Sequence, residues 1–263
     1  MDLGIQNKVA LVAASSSGLG KAVALQLSRE GAKLAICARS EANLLKAREN
    51  IAAETGGIVQ AYTADVTQKE QVDQMVTDIV STLGSIDILV CNAGGPPPGF
   101  VNDFTPDDYR NAVELNLLST ISLCYEAIPY MKKNRWGRIV CITSVSAKQP
   151  IPNLVLSNTA RAGVLGFAKS LSEQVAPYGI TVNSVCPGYT KTERVGDLAR
   201  SYADSGKGTQ EDFYKTIEAS IPMNRLGTTE EFAHTVAFLA SEGAGYITGV
   251  ALQIDGGYIK GLF

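Results

Sequence analysis

Short apolar runs recur along the chain, each followed by a longer stretch in which apolar residues return at helical spacing. Seven runs read as strands: Val9–Ala14, Leu34–Ala38, Ile58–Thr63, Ile86–Asn92, Arg138–Thr143, Thr181–Cys186 and Ala251–Asp255. Most are almost continuously apolar, the pattern of parallel strands covered on both faces. Between the first two, Leu19, Ala22, Val23 and Leu27 fall on one helical face, and Gly31 closes that helix. Glu41–Thr55, Gln68–Leu83, Thr105–Asn134 (as two helices) and Asn153–Tyr178 read the same way. Strict strand–helix alternation without repeat or linker predicts an α/β fold. The expectation is one doubly wound, Rossmann-type domain over residues 1–263, a seven-stranded parallel sheet flanked by helices with right-handed crossovers.

Two stretches break the rhythm. Gly94-Gly95-Pro96-Pro97-Pro98-Gly99 follows the fourth strand and is too proline-rich for a helix. Its position at a strand's C-terminal end makes it a cleft wall or simply a stiff connection, with Pro97 the candidate for substrate contact. Residues 192–221 are polar and interrupted around Ser205-Gly206-Lys207-Gly208, and read as a substrate loop or lid inserted in the domain.

Composition narrows the chemistry. The 263 residues carry a net charge of −3 with 19% charged and 45% hydrophobic side chains, which suits a globular core and excludes disorder. No Lys/Arg tract marks a nucleic-acid or anionic-membrane surface, and no apolar run approaches the roughly 18 residues of a membrane span. His234 is the only histidine, which removes multi-histidine metal sites, and no metal centre is expected. Five cysteines (Cys37, Cys91, Cys124, Cys141, Cys186) show no C-x-x-C spacing. They read as small buried hydrophobes in a reducing compartment, so a cytoplasmic protein without a signal peptide is expected.

After the first strand, Ala13-Ala14-Ser15-Ser16-Ser17-Gly18-Leu19-Gly20 runs straight into a helix. Small residues admit a pyrophosphate close to the backbone, and the helix N-terminus supplies N–H groups and the positive dipole end. Ala14, Ser16, Ser17, Gly18, Leu19 and Gly20 are therefore cofactor candidates. The second strand ends in Ala38-Arg39-Ser40. An acid there would take the ribose 2′-hydroxyl of NAD, whereas Arg39, with Ser40 beside it, suits the 2′-phosphate of NADP(H).

With these residues in place, the chain resembles the short-chain dehydrogenase/reductase family over nearly its whole length, and most of all its 3-oxoacyl-[acyl-carrier-protein] reductase-like members. Asp65-Val66 matches the pair at the adenine, and Asn92-Ala93-Gly94 the signature after the fourth strand. Pro187-Gly188 followed by Thr192 matches the segment that holds the nicotinamide carboxamide. Asn116 and Ser144 stand where the family keeps its catalytic-site Asn and its substrate-binding Ser. The resemblance implies a small carbonyl substrate, in the 3-oxoacyl case a thioester, and a homotetramer whose contacts include residues 246–257.

Two features, at three positions, depart from the family. Its Tyr-x-x-x-Lys pair is replaced by Ser157 and Arg161, and the first glycine of its phosphate loop by Ala14, a change of one methyl. Ser157 and Arg161 are four apart on a helix and can share one face. A serine hydroxyl is a far weaker acid than a phenol, and arginine stays protonated, so it anchors hydroxyls and stabilises an alkoxide without relaying a proton. Tyr189 and Lys148 are the alternative donors at the cleft, Tyr189 also as a substrate contact. Two functions follow: an NADP(H)-dependent carbonyl reductase with an altered proton-donor site, or an NADP(H)-binding sensor or partner protein with little turnover.

Overall fold

The apolar runs form strands because most positions along them meet protein on one face of the sheet or the other, fully so in four of them. In the computed structural model, which describes residues 2–262, these are β1 (Val9–Val12), β2 (Lys33–Ala38), β3 (Val59–Thr63), β4 (Ile88–Cys91), β5 (Gly137–Ile142), β6 (Ile180–Pro187) and β7 (Ala251–Ile254). All pair in parallel in the order β3-β2-β1-β4-β5-β6-β7, the expected fold. The ends differ from the sequence runs by a residue or two in either direction, the usual difference at element boundaries.

Strand pleating sorts the core into two layers. Val9, Leu11 and Ala13 face helices α3 (Lys69–Leu83), α5 (Ser119–Asn134) and α6 (Val155–Val175), while Ala10 and Val12 face α1 (Gly18–Arg29), α2 (Glu41–Thr55) and α9 (Thr229–Leu239). Each fully buried Leu or Ile in these layers contributes roughly 1.5–3 kcal/mol. Strand order reverses between β1 and β4, and that reversal opens a crevice at the strands' C-terminal ends.

Three segments differ from the expectation. The stretch 105–134 holds the two expected helices, α4 (Pro106–Val113) and α5, but they are joined without a break by a π-helical turn, Glu114–Leu118. Residues 192–221 are mostly helical: α7 (Glu193–Asp204) and α8 (Gln210–Ser220) form a hairpin around Gly206 and Gly208, both at positive φ. Val195 and Ala199 bury one side of α7, and the Tyr202 and Phe213 rings meet at 5.7 Å between the two helices. Helix α9 was not foreseen. Its start carries a readable signal, because Thr228 and Glu231 form a capping box in which Thr228 Oγ1 accepts from the Glu231 N–H and the Glu231 carboxylate from the Thr228 N–H.

Candidate active site

The chain leaves β1 into the loop 13–17 and enters α1 at Gly18. Ala14 takes φ +47°, in the left-handed region. The loss of glycine here is therefore more than one methyl of clearance: an L-residue in this conformation costs about 1–2 kcal/mol. Asn92 Nδ2 donates to the Ala14 carbonyl at 3.1 Å and ties the loop to the segment after β4. Gly20 closes the construction. A Cβ there would stand 2.4 Å from the Ala14 oxygen and 2.8 Å from Asn92 Nδ2, so only glycine lets α1 approach this closely.

Two adjoining recesses, each of about 400 Å³, run along the crevice and share Ser17, Asn92, Ala93 and Gly94. The first lies between the loop and the end of β2, with Ala14, Ser16, Arg39 and Ser40 on one side and Asp65, Val66 and Leu115 on the other. Arg39 is exposed and pairs with no carboxylate among the described residues. The Asp65 carboxylate accepts from the N–H and hydroxyl of Thr67, so it also orders the approach to α3.

The second recess continues past Gly18 and Leu19 to Ser144, Ser157, Arg161, Pro187, Gly188, Tyr189 and Thr192. Its apolar wall includes Ile151 and Leu154. Ser144 starts a 3-10 turn after β5, and its Oγ accepts from the Ser146 N–H at 3.0 Å, which leaves its own O–H free to donate. The Ser157 hydroxyl lies 3.1 Å from that of Ser146. Both Ser157 and Arg161 are buried, so they belong to the cleft floor and not to an outer helix surface.

Arg161 ties the floor together. Its Nη1 donates to the carbonyls of Ile142 (3.2 Å) and Thr143 (2.9 Å), and its Nη2 to that of Ala93 (3.4 Å). The guanidinium thus bridges the ends of β4 and β5 directly beneath the crevice. Burial, with the nearby Arg194 charge second, lowers its pKa to about 10, and it remains a cation at neutral pH.

Helix α7 supplies the opposite wall. Arg194 in its first turn donates from Nη2 to the Pro96 carbonyl at 2.8 Å, latching α7 to the proline-rich loop. Pro96 is buried and lines the recess, whereas Pro97 is exposed and does not, which corrects the expectation for Pro97. Tyr189 packs edge-on against Tyr258 with centroids 5.5 Å apart, and burial pushes its phenol up to about 12, making it a weaker acid than an ordinary tyrosine. Lys148 turns away from the cleft and donates to the Ala251 carbonyl at 3.2 Å. Tyr189 lines the recess and Lys148 does not.

A family model described as enoyl-(acyl carrier protein) reductase matches residues 13–259 of the chain. The chain belongs to the short-chain dehydrogenase/reductase family. It is 37% identical over 253 residues to the 3-oxoacyl-[acyl-carrier-protein] reductase FabG of Haemophilus influenzae, covering 96% of this chain and 98% of that protein. Among solved structures it is similar to the L-sorbose reductase of Gluconobacter frateurii, complexed with NADPH and L-sorbose (31% identity, 100% of both chains, TM-score 0.95). It is also similar to an actinorhodin polyketide ketoreductase with NADPH (32% identity, 95% of this chain, 97% of that one, TM-score 0.91).

Two more of the expected residues stand outside the recesses of this short-chain dehydrogenase/reductase. Gly20 acts from behind the loop, as described. Asn116 is buried within the π-helical turn, where its Nδ2 donates to the Ala112 carbonyl at 3.3 Å and its Oδ1 has no partner. π turns mark functional positions in many helices. Sequence reasoning missed Ser146, Arg194, Ile151 and Leu154. None carries a local signal, because Arg194, Ile151 and Leu154 reach the cleft, and Ser146 its place behind Ser144 and Ser157, through the packing of a loop or helix start.

Proposed function

We propose that this protein is an NADP(H)-dependent carbonyl reductase, with a 3-oxoacyl-type, thioester-linked compound as the model substrate and an altered proton-donor site. One observation carries the reading. A single crevice joins the loop 14–20 and Arg39 to three side chains at its far end: the hydroxyls of Ser144 and Ser157 and the guanidinium of Arg161.

The residues fit the dinucleotide. Ser16, Ser17 and the start of α1 would hold the pyrophosphate, Arg39 and Ser40 the 2′-phosphate, Asp65 and Val66 the adenine, and Pro187, Gly188 and Thr192 the nicotinamide. Gly20 leaves the close backbone approach that such a cradle needs. Bound NADPH would supply the hydride. The chain's own residues would handle the substrate oxygen: Ser144 Oγ–H and Ser157 Oγ–H would donate to it, and the desolvated charge of Arg161 would stabilise the alkoxide as it forms. Hydroxyls hold the oxygen well but deliver protons slowly near neutral pH, so slow turnover is expected, with a loss of about 10²–10⁴ relative to a positioned acid.

A second reading keeps the same cofactor and removes the turnover: an NADP(H)-binding sensor or partner protein. The arrangement of Arg161 favours it, because donors that would serve a ribose are engaged with three backbone carbonyls. Other finer points belong with these proposals. The hairpin of α7 and α8 would act as the lid over the substrate. A homotetramer would cover Tyr246, Val250 and Leu252, which are exposed at the β7 edge of the sheet. Cytoplasmic residence would suit five buried, unpaired cysteines.

Titration calorimetry with NADPH and NADH, followed by NADPH oxidation with a panel of ketones and 3-oxoacyl thioesters, tests the choice. Tight NADPH binding with turnover supports the reductase, and tight binding without turnover supports the sensor. Absence of NADPH binding overturns both.

A further inference from the structure

We propose that the carbonyl substrate carries an anionic group, a carboxylate or a phosphate, and that Arg194 receives it by exchanging its bond to Pro96 for the substrate's oxygens. The inference rests on the reductase reading and names the substrate class for that same cleft.

Two guanidiniums face the cleft, Arg161 at its floor and Arg194 at its wall, and neither pairs with a carboxylate among the described residues. The acidic groups that line the cleft do not neutralise them. Glu193 is exposed, and Asp197 is already engaged with Arg200 one helical turn along. The two cations are near enough that Arg194 adds to burial in lowering the Arg161 pKa. Like charges held together in a partly buried cleft repel, and an anion between them relieves both.

The present partner of Arg194 is a neutral carbonyl, Pro96 O at 2.8 Å, which uses one donor of a planar fork built for two parallel bonds to a carboxylate or phosphate. Its place in the chain adds to the attraction. Arg194 sits in the first turn of a 12-residue helix, and the hydroxyl of the N-cap residue Thr192 donates to the Thr190 carbonyl instead of accepting from the helix N–H groups. Those N–H groups and the dipole end favour the same negative charge. Release of the latch would also free α7 from the proline-rich loop, so binding of the anion and opening of the wall are linked.

The test compares acids with their neutral esters: acetoacetate and levulinate against methyl acetoacetate and methyl levulinate, on the full chain saturated with NADPH, by calorimetry and steady-state kinetics. The acids are expected to bind and turn over roughly 10–100-fold better than the esters. Arg194→Gln should abolish that ratio and Arg194→Lys keep part of it. Lys215→Gln, on the neighbouring helix α8 and outside the cleft, should leave it intact. Equal affinity for acids and esters overturns the proposal, as does an unchanged ratio in Arg194→Gln. A tenfold loss of NADPH affinity in Arg194→Gln with the ratio unchanged assigns Arg194 to the cofactor pyrophosphate and also overturns it. If NADPH itself does not bind, the reductase reading fails separately, and calorimetry of the same acid–ester pairs without NADPH still decides this one.

Discussion

The hydroxyl oxygens of Ser146 and Ser157 lie 3.1 Å apart, and both side chains are buried. They come from different elements, the turn after β5 and the start of α6, and the Ser146 N–H also holds Ser144 Oγ. Ser146 thus links Ser144, through its N–H, to Ser157, through its hydroxyl. On the proposed reading, the family's one phenol would be replaced by the hydroxyls of Ser144 and Ser157 and the guanidinium of Arg161. That arrangement would favour orientation and charge stabilisation over proton supply.

Restoring the phenol and the ammonium tests that account. Ser157→Tyr with Arg161→Lys is expected to raise reduction of a simple 3-oxoacyl thioester by roughly 10² or more, read as NADPH oxidation. An unchanged rate, in protein that still binds NADPH, would mean that the cleft has diverged beyond these two positions.

Arg161 is also structural. Arg161→Met removes the donors to three buried backbone carbonyls and should lower stability by about 1–3 kcal/mol, partly offset by removal of a buried charge. Urea unfolding measures this. A variant as stable as the parent would show that solvent reaches those carbonyls.

Cofactor choice should turn on Arg39. Arg39→Asp places an acid at the end of β2 and is expected to weaken NADPH at least tenfold while strengthening NADH. The ratio of the two dissociation constants is the readout, and an unaltered ratio would remove Arg39 from the site.

The phosphate loop allows opposite outcomes at neighbouring positions. Ala14→Gly relieves a left-handed alanine and should stabilise the protein by about 0.5–1 kcal/mol, once the added freedom of the unfolded chain is deducted. Gly20→Ala drives a Cβ against the Ala14 backbone and should cost both stability and NADPH affinity. Denaturation midpoints for the pair decide the matter, and a destabilised Ala14→Gly would contradict the strain argument.

Acid sensitivity should reside partly at the start of α9. Arg225 and the Thr228 N–H hold the Glu231 carboxyl down to about 2, below its ordinary value of 4.5. A carboxyl depressed in the folded state adds stability above its unfolded pKa and loses it as pH falls towards the folded value. Glu231→Gln should therefore flatten the decline in melting temperature between about pH 4.5 and 2. An identical acid limb in the variant would count against this cap.

Local pattern alone determined much of this protein. Strand runs, the α1 face from Leu19 to Leu27 and the phosphate loop were legible because parallel strands and small-residue loops impose their constraints on adjacent residues, whereas the substitutions at 157 and 161 were legible only through the resemblance to the family. The sequence also carried a capping box at Thr228 and a helical recurrence of Phe232, Ala233, Val236, Ala237 and Ala240, so α9 was legible as well.

Only the tertiary structure decided the rest. It placed Pro96 and not Pro97 in the cleft, set Ala14 at positive φ, and put Asn116 inside a π-helical turn behind the recess. It brought Ser146 to Ser157, eleven residues apart, and Arg194 to Pro96, 98 apart. These contacts depend on how loops and helix starts dock at the strand ends, a long-range balance of packing and buried polar pairing. Spacing within one segment reports which face a side chain shares, and it is the fold that chooses what stands opposite.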